Sequence, residues 1–144
     1  ARLLDLSGMV ARRLRKEKIV AKGFSLTLRY PDFTTLTKRI TLPFYTVSGR
    51  IIYETVTALL DSFRLKDAVR LLGVSAFNVR RFAANPSLFG GPDREERLWR
   101  AVDDVNDAFG ECSLRPATTL LCVHHHWVIS PAYRPGKVYP YRRQ

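Results

Sequence analysis

The sequence predicts an α+β fold in which two helices cover one face of an antiparallel sheet. Apolar residues recur at helical spacing in 3–14 and in 52–63, whereas 24–30 and 35–42 alternate between apolar and polar residues as strands do. A third strand is predicted at 69–78. A linker, an extra C-terminal helix and a basic tail follow it.

The first helix combines an apolar stripe with a basic end. The stripe consists of Leu3, Leu6, Val10 and Leu14. Basic residues then crowd positions 12–18, near the C-terminus of the helix, where its dipole favours cations. The chain starts at Ala1, without a methionine and directly in this pattern, so we expect a fragment of a longer protein.

A hairpin with one apolar face follows the helix. In its first strand the apolar face consists of Phe24, Leu26, Leu28 and Tyr30. In its second strand Leu36, Ile40 and Leu42 continue that face, while Lys38 interrupts it. Pro31-Asp32 supplies the turn, and we expect Pro43 to close the second strand.

The second helix and the third strand complete the sheet layer. Ser48 is a suitable N-cap for the helix. The strand "VRLLGVSAFN" (69–78) is apolar on both faces, and the basic sequence Asn78-Val79-Arg80-Arg81 continues from its end. We expect one face of this strand to pack on the helices and the other to lie under nucleic acid or a neighbouring domain.

Residues 85–92 read as a linker, because proline and glycine cluster there. A third helix then carries Leu98, Val102, Val105 and Phe109 on one side, and Gly110 is placed to cap it.

The run His124-His125-His126 offers transition-metal ligands. Because neighbours in a strand point to opposite faces, at most two of the three could bind one metal ion. The alternative to a metal site is that this histidine run lies in a segment facing solvent or nucleic acid.

The charge of the chain points to a polyanionic partner. Lys and Arg number 24 against 13 Asp and Glu, giving a net charge of +11 and a pI near 10.3. Nucleic acid is the first candidate and anionic lipid the second, and the alternative is an ordinary basic protein.

No apolar run approaches the roughly 20 residues that span a bilayer. Two cysteines form no disulfide framework, which favours the reducing cytoplasm.

Hydroxyls and guanidiniums share the predicted outer face of the hairpin. They belong to Ser25, Thr27, Arg29, Thr35, Thr37, Arg39 and Thr41. Such groups on a rigid sheet can bond phosphate oxygens without reading bases. The alternative is that threonine is simply a good strand residue at a solvated position. Few aromatic residues fall on this predicted face, which disfavours an RNA-binding domain that stacks bases.

Two segments carry a resemblance to a known family. Positions 24–43, "FSLTLRYPDFTTLTKRITLP", and 69–78, "VRLLGVSAFN", resemble the little finger domain of Y-family (DinB/UmuC-type, ImpB/MucB/SamB) translesion DNA polymerases. The resemblance covers residues 1–82 in order, spacing and pattern. More faintly, "AVDDVNDAFGECSLRPA" and "WVISPAYRPG" resemble the C-terminal extension of some of these polymerases.

The resemblance implies a DNA-binding role. In that family the little finger lies beside the primer–template duplex and contacts backbone phosphates during lesion bypass. The DNA-binding residues implied here are Arg29, Thr37, Lys38, Arg39, Thr41, Arg70, Gly73, Ser75, Arg80 and Arg81. The family often has further basic residues in the last strand, where this chain has Leu71 and Ser75, so the contribution of that strand is open.

The family's first strand, which lies at the sheet edge beside the last, is missing from this chain. We therefore expect the open edge of 69–78 to pair with a second copy of the chain or with Leu120–Val123.

The linker resembles a short clamp-binding motif of the family. Asn85, Ser87, Leu88 and Phe89 are its implied residues, with Asn85 in place of the family's glutamine and Pro86 in place of its leucine. An exposed Leu-Phe pair is an anchor for a pocket, and the alternative is that it packs back on the domain. The predicted organisation is thus a DNA-binding domain (1–82), a linker (83–92) and an extension (93–144).

The family's catalytic palm, fingers and thumb are missing from this sequence. We expect no catalysis, metal site or cofactor in this chain alone, although the parent polymerase implied by the resemblance would need Mg²⁺. The predicted function is duplex DNA binding for translesion synthesis in the cytoplasm. The alternative function is recruitment of the parent polymerase to the sliding clamp.

Overall fold

The computed structural model of the 144-residue chain describes residues 1–81, 94–110 and 113–119. Three helices, three strands and a single 3₁₀ turn lie in these ranges. They are α1 (Arg2–Lys16), β1 (Ile19–Arg29), β2 (Thr35–Thr46), α2 (Gly49–Asp61), β3 (Leu71–Arg81), α3 (Arg94–Phe109) and the 3₁₀ turn Ala117–Thr119.

The three strands form one antiparallel sheet in the order β2-β1-β3. Helices α1 and α2 pack against each other and against the same face of this sheet, which we call the inner face. The predicted α+β architecture is therefore confirmed.

The core lies between β1 and the two helices. Phe24, Leu26 and Leu28 of β1 are fully buried, as their alternation predicts. From the helices the core receives Leu3, Ala11, Leu14, Ile52, Val56 and Leu59. Burying one such large side chain stabilises the fold by roughly 1.5–3 kcal/mol. Because β1 is the central strand, its outer side chains are fixed on a rigid support.

The edge strand β2 is less well covered. Leu36 and Ile40 face the helices but remain partly exposed, and Leu42 packs against the core. The expectation that Pro43 closes this strand is wrong, since β2 continues to Thr46. An edge strand accommodates proline because one row of its backbone groups needs no partner within the sheet.

Strand β1 starts earlier than its alternation predicts. It begins at Ile19 and passes through Gly23. The Phe77 ring occupies the space that a Cβ on Gly23 would take, so glycine allows the aromatic ring to lie across the central strand. The missing side chain at Gly23 therefore marks a packing contact and not the end of an element.

Helix α2 is capped as expected. The backbone N–H of Ile51 donates to Ser48 Oγ at 3.5 Å. Ser62 ends the helix, and its hydroxyl donates to the carbonyl of Leu59.

Helix α3 packs on α1 through ion pairs. Arg15 donates to both carboxylate oxygens of Asp103, at 2.6 and 2.9 Å, and Arg12 donates to Asp107 at 2.7 Å. Of the apolar side predicted for this helix, Val102 and Val105 are half-buried, whereas Leu98 is 59% and Phe109 79% exposed. Gly110 caps the helix with a φ of 103°, as expected.

Two further findings concern the described residues. None of the helices α1, α2 and α3 has the length and hydropathy needed to span a bilayer. Nowhere in residues 1–81, 94–110 and 113–119 do three His, Cys, Asp or Glu side chains cluster as metal ligands would. The histidines at 124–126 lie outside the described residues.

Candidate nucleic-acid interface

The face of the sheet opposite the helices, called the outer face below, is built from three rows of paired residues. The first row joins Arg39, Ser25 and Ser75 across the three strands. The second joins Thr37, Thr27 and Gly73, and the third joins Thr35, Arg29 and Leu71. Residues directly opposite one another in antiparallel strands project from the same face. The register therefore brings together most of the predicted phosphate-binding groups.

Hydrogen bonds order the side chains within these rows. The hydroxyls of Thr27 and Thr37 are 3.0 Å apart, and Arg29 Nε donates to Thr35 Oγ1 at 2.9 Å. Thr37, Arg39 and Thr41 are exposed, as is Ser75 in β3. The outer face thus presents hydroxyls whose positions are set by their cross-strand neighbours.

Gly73 has no side chain, which leaves a depression in the middle row of the outer face. A Cβ at this position would make only ordinary contacts, the closest at 3.8 Å to Thr27. Packing therefore does not require glycine here. Its consequence is that the backbone of β3 stays accessible beside the two threonines.

The strands of this sheet are strongly basic. β1, β2 and β3 contain six basic residues and no acidic residue: Lys22, Arg29, Lys38, Arg39, Arg80 and Arg81. The ion pairs identified among the described residues lie on the helices instead, between α1 and α3 and within α2. The positive charge of the outer face is thus left available for an anion.

At the hairpin end, Arg70 lies beside the turn between β1 and β2. Its backbone N–H donates to the carbonyl of Arg29 at 2.8 Å, and its guanidinium is 4.5 Å from the centroid of the exposed Phe33 ring. Asp32 shapes this turn, because the backbone N–H and the hydroxyl of Thr34 donate to its carboxylate. These hydrogen bonds lower the pKa of Asp32.

The other end of the sheet holds aromatic rings and cations that sequence patterns did not bring together. The Arg80 guanidinium lies 3.9 Å and Lys22 Nζ 5.4 Å from the centroid of Tyr45. Arg39 lies 5.9 Å from the centroid of Phe77. The alternation Leu71-Gly73-Ser75-Phe77 already placed Phe77 on the outer face, but no sequence signal connected it to Tyr45 and Lys22. Tyr45 and Phe77 thus bring two aromatic rings to this end of the outer face.

Lys38 does not join the other predicted residues. Its Nζ donates to the carbonyl and hydroxyl oxygens of Ser62, at 2.6 and 2.8 Å, and lies 4.7 Å from the centroid of Phe63. Lys38 therefore points to the inner face, where it contacts the end of α2. The alternation that places Thr37 and Arg39 outward requires this orientation.

Arg81 ends β3 opposite Ile19, which packs against the core, so the register places Arg81 on the inner side of the sheet and not with the outer-face residues. The predicted clamp-binding residues Asn85, Ser87, Leu88 and Phe89 lie outside the described residues, so that hypothesis stays a prediction.

Comparison with known proteins identifies the family to which this chain belongs. Residues 1–88 match the C-terminal domain of the impB/mucB/samB family. The chain is 35% identical over 130 residues to a DNA polymerase IV of Desulfatibacillum aliphaticivorans, a match that covers 86% of this chain and 33% of that protein. It is 36% identical over 120 residues to a DNA polymerase IV of Moorella thermoacetica, covering 82% and 30% respectively. The chain thus spans about a third of the length of the curated relatives it matches.

Proposed function

Because this chain belongs to the impB/mucB/samB family through its C-terminal domain, we propose that it is the DNA-binding unit of a translesion DNA polymerase. It would hold the primer–template duplex by its sugar–phosphate backbone, in the cytoplasm. The observation that carries this proposal is the outer face itself. Three carboxylate-free strands present ordered threonines beside Arg29 and Arg39 on a rigid support.

The chemistry of this face suits phosphate and not bases. Threonine hydroxyls and arginine guanidiniums donate hydrogen bonds to phosphate oxygens, and such contacts position a protein without reading sequence. The accessible backbone at Gly73 gives a phosphate room to approach. A surface of this kind holds a duplex equally well whether or not a nearby base is damaged.

The activity of the parent protein belongs to the same proposal. The matched relatives are named DNA polymerase IV, and we propose that the longer protein is a DNA-directed DNA polymerase whose catalytic part lies outside this chain. Asp103 and Asp107 are engaged by arginines of α1, and among the described residues no acidic cluster suits a catalytic Mg²⁺. The Mg²⁺ that such a polymerase needs would be held by that catalytic part.

A pair of charge reversals tests the proposal. Arg39→Glu changes an outer-face residue, whereas Arg50→Glu changes an exposed residue of α2 and lowers the net charge by the same amount. We expect Arg39→Glu to weaken duplex binding on the order of tenfold for every DNA sequence, and Arg50→Glu to have little effect. Electrophoretic mobility shifts at about 50 and 200 mM salt measure both affinity and its salt slope.

The salt slope gives a second readout. Affinity of the unmodified chain should fall steeply with salt, by about 0.9 log units per log unit of salt for each phosphate contacted. Equal losses from Arg39→Glu and Arg50→Glu would mean that overall charge and not the outer face binds DNA. Absence of duplex binding at either salt concentration would refute the proposal.

Two partner hypotheses accompany this function. Recruitment to a sliding clamp through Leu88 and Phe89 stays a prediction. Pairing of β3 with a second copy or with Leu120–Val123 also stays a prediction: β3 lies at the sheet edge, where Leu71 is 44% exposed, and residues 120–123 lie outside the described residues. An uncovered edge strand offers a row of backbone groups to another strand.

A further inference from the structure

A groove of about 590 Å³ lies at the end of the sheet farthest from the hairpin turn. Lys22, Tyr45, Phe77, Asn78 and Val79 line it. Its residues come from all three strands, and none of them belongs to the row of threonines described above. The groove is therefore a separate feature of the same charged surface.

We infer that this groove binds an unpaired nucleotide of the DNA strand that continues beyond the duplex. The inference rests on the proposed function, because the duplex would place that strand on the sheet. It adds a second mode of contact, in which a base stacks in the groove while its phosphate meets the surrounding cations.

The groove offers stacking surfaces. Tyr45 and Phe77 are half-buried, so each ring is held by the protein while part of it faces solvent. The Arg80 guanidinium lies over one face of the Tyr45 ring, 3.9 Å from its centroid, so on that face a base would stack on the guanidinium plane. Unpaired bases stack both on aromatic rings and on arginine planes. Such stacking tolerates any base, since every base has a π face.

The groove also offers phosphate-binding groups. Lys22, Arg39 and Arg80 surround the two rings, and none of them enters the ion pairs found within residues 1–81, 94–110 and 113–119. The three strands supply no carboxylate to compete for them. Aromatic rings interleaved with unneutralised cations are the usual composition of surfaces that bind single strands.

Backbone geometry opens the groove at this position. Asn78 has a φ of 50°, and the strand changes face there, because Phe77 lies across Gly23 on the outer face while Val79 packs against the core. Asparagine tolerates this left-handed conformation better than most residues do. Asn78 also lines the groove, and an asparagine amide can both donate to and accept from the edge of a base.

Two DNA probes separate this inference from the proposed function. The first is a blunt duplex, and the second is the same duplex extended by a short run of unpaired thymidines. The full 144-residue chain should bind the extended duplex more tightly. Tyr45→Leu should remove that advantage, with a loss on the order of tenfold for the extended duplex and a clearly smaller loss for the blunt one, whose contact with Arg80 it also touches.

The adjacent residue supplies a matched control. Phe44→Leu makes the same kind of change at an exposed aromatic residue of β2 that does not line the groove. It should leave both affinities unchanged. Tyr45→Trp, which keeps a ring in place, should retain the advantage of the extended duplex and guards against a folding defect in Tyr45→Leu. For the blunt duplex the salt slope should stay the same in all three variants, because none changes a charge.

The outcomes are distinguishable. If the blunt duplex binds but the unpaired extension adds nothing, the groove inference is overturned while the proposed function survives. The inference is also overturned if Tyr45→Leu weakens both probes equally, if Phe44→Leu acts like Tyr45→Leu, or if Tyr45→Trp loses the advantage. If neither probe binds, the proposed function fails and the inference fails with it.

Discussion

Lys38 and Arg39 are sequence neighbours in β2, and strand geometry gives them opposite roles. Arg39 points to the outer face, whereas Lys38 donates to two oxygens of Ser62 at the end of α2. Hydrogen bonds from a charged group to helix-end carbonyls stabilise the helix terminus. We therefore expect Lys38→Met to lower the free energy of unfolding by about 1 kcal/mol, as urea denaturation would measure, and to leave duplex affinity unchanged.

Lys66→Met is the control, since Lys66 is exposed beyond the end of α2. It should change neither stability nor binding. A loss of duplex affinity in Lys38→Met without a loss of stability would return Lys38 to the set of DNA-binding residues.

Ion pairs join helix α3 to α1. Arg15 and Asp103 form a two-bond contact whose side chains are mostly buried, while Leu98 and Phe109 face solvent. Replacing Asp103 with asparagine keeps the shape but leaves a poorly paired guanidinium, so Asp103→Asn should weaken the packing of α3 on α1 by about 1–3 kcal/mol. Amide hydrogen exchange along α3 would report this as faster exchange.

The next residue in α3 provides the comparison for that measurement. Asp104 is exposed, and Asp104→Asn makes the same chemical change without touching Arg15. Equal exchange in the two variants would show that the ion pair does not hold the helix.

At the scale of the whole molecule, charge is divided between two surfaces. Within the described residues, Asp103 and Asp107 of α3 pair with Arg15 and Arg12 of α1, whereas the strands contain no carboxylate. This division makes the α1–α3 contact sensitive to acid. The hydrogen bond from Arg12, with the nearby charges of Lys16 and Arg12, lowers the pKa of Asp107 from its ordinary value of 3.8.

When folding lowers the pKa of a carboxylate, its ionised form stabilises the contact fully at pH values above the ordinary pKa of the group. That stabilisation is lost as the pH falls from the ordinary pKa through the lowered pKa of the folded state. We therefore expect α3 to loosen from α1 as the pH drops below about 3.8. Fluorescence of Trp99, which lies 5.9 Å from the Arg15 guanidinium, would follow this in a Trp127→Phe background. Emission that stays constant through that pH range would contradict the ionic account of the contact.

Local patterns in the sequence were sufficient for the order of the elements and for the two faces of the sheet, but not for the bounds of β1 and β2. Alternation places Phe24, Leu26 and Leu28 inside and Thr37 and Arg39 outside, because successive side chains of a strand must point in opposite directions. The same rule, applied strictly, would have removed Lys38 from the predicted interface. The helix caps at Ser48 and Gly110 could also be predicted, because a cap depends on only a few consecutive residues.

Tertiary structure alone decided which distant residues meet. The convergence of Lys22, Tyr45, Phe77 and Arg80 depends on strand register, on the missing side chain at Gly23 and on the change of face at Asn78. The contact of α3 with α1 likewise depends on Asp107 meeting Arg12 and Asp103 meeting Arg15, which the apolar stripe of α3 does not indicate. Hydrophobic periodicity describes how one element is oriented, but contacts between elements depend on spatial complementarity that periodicity does not encode.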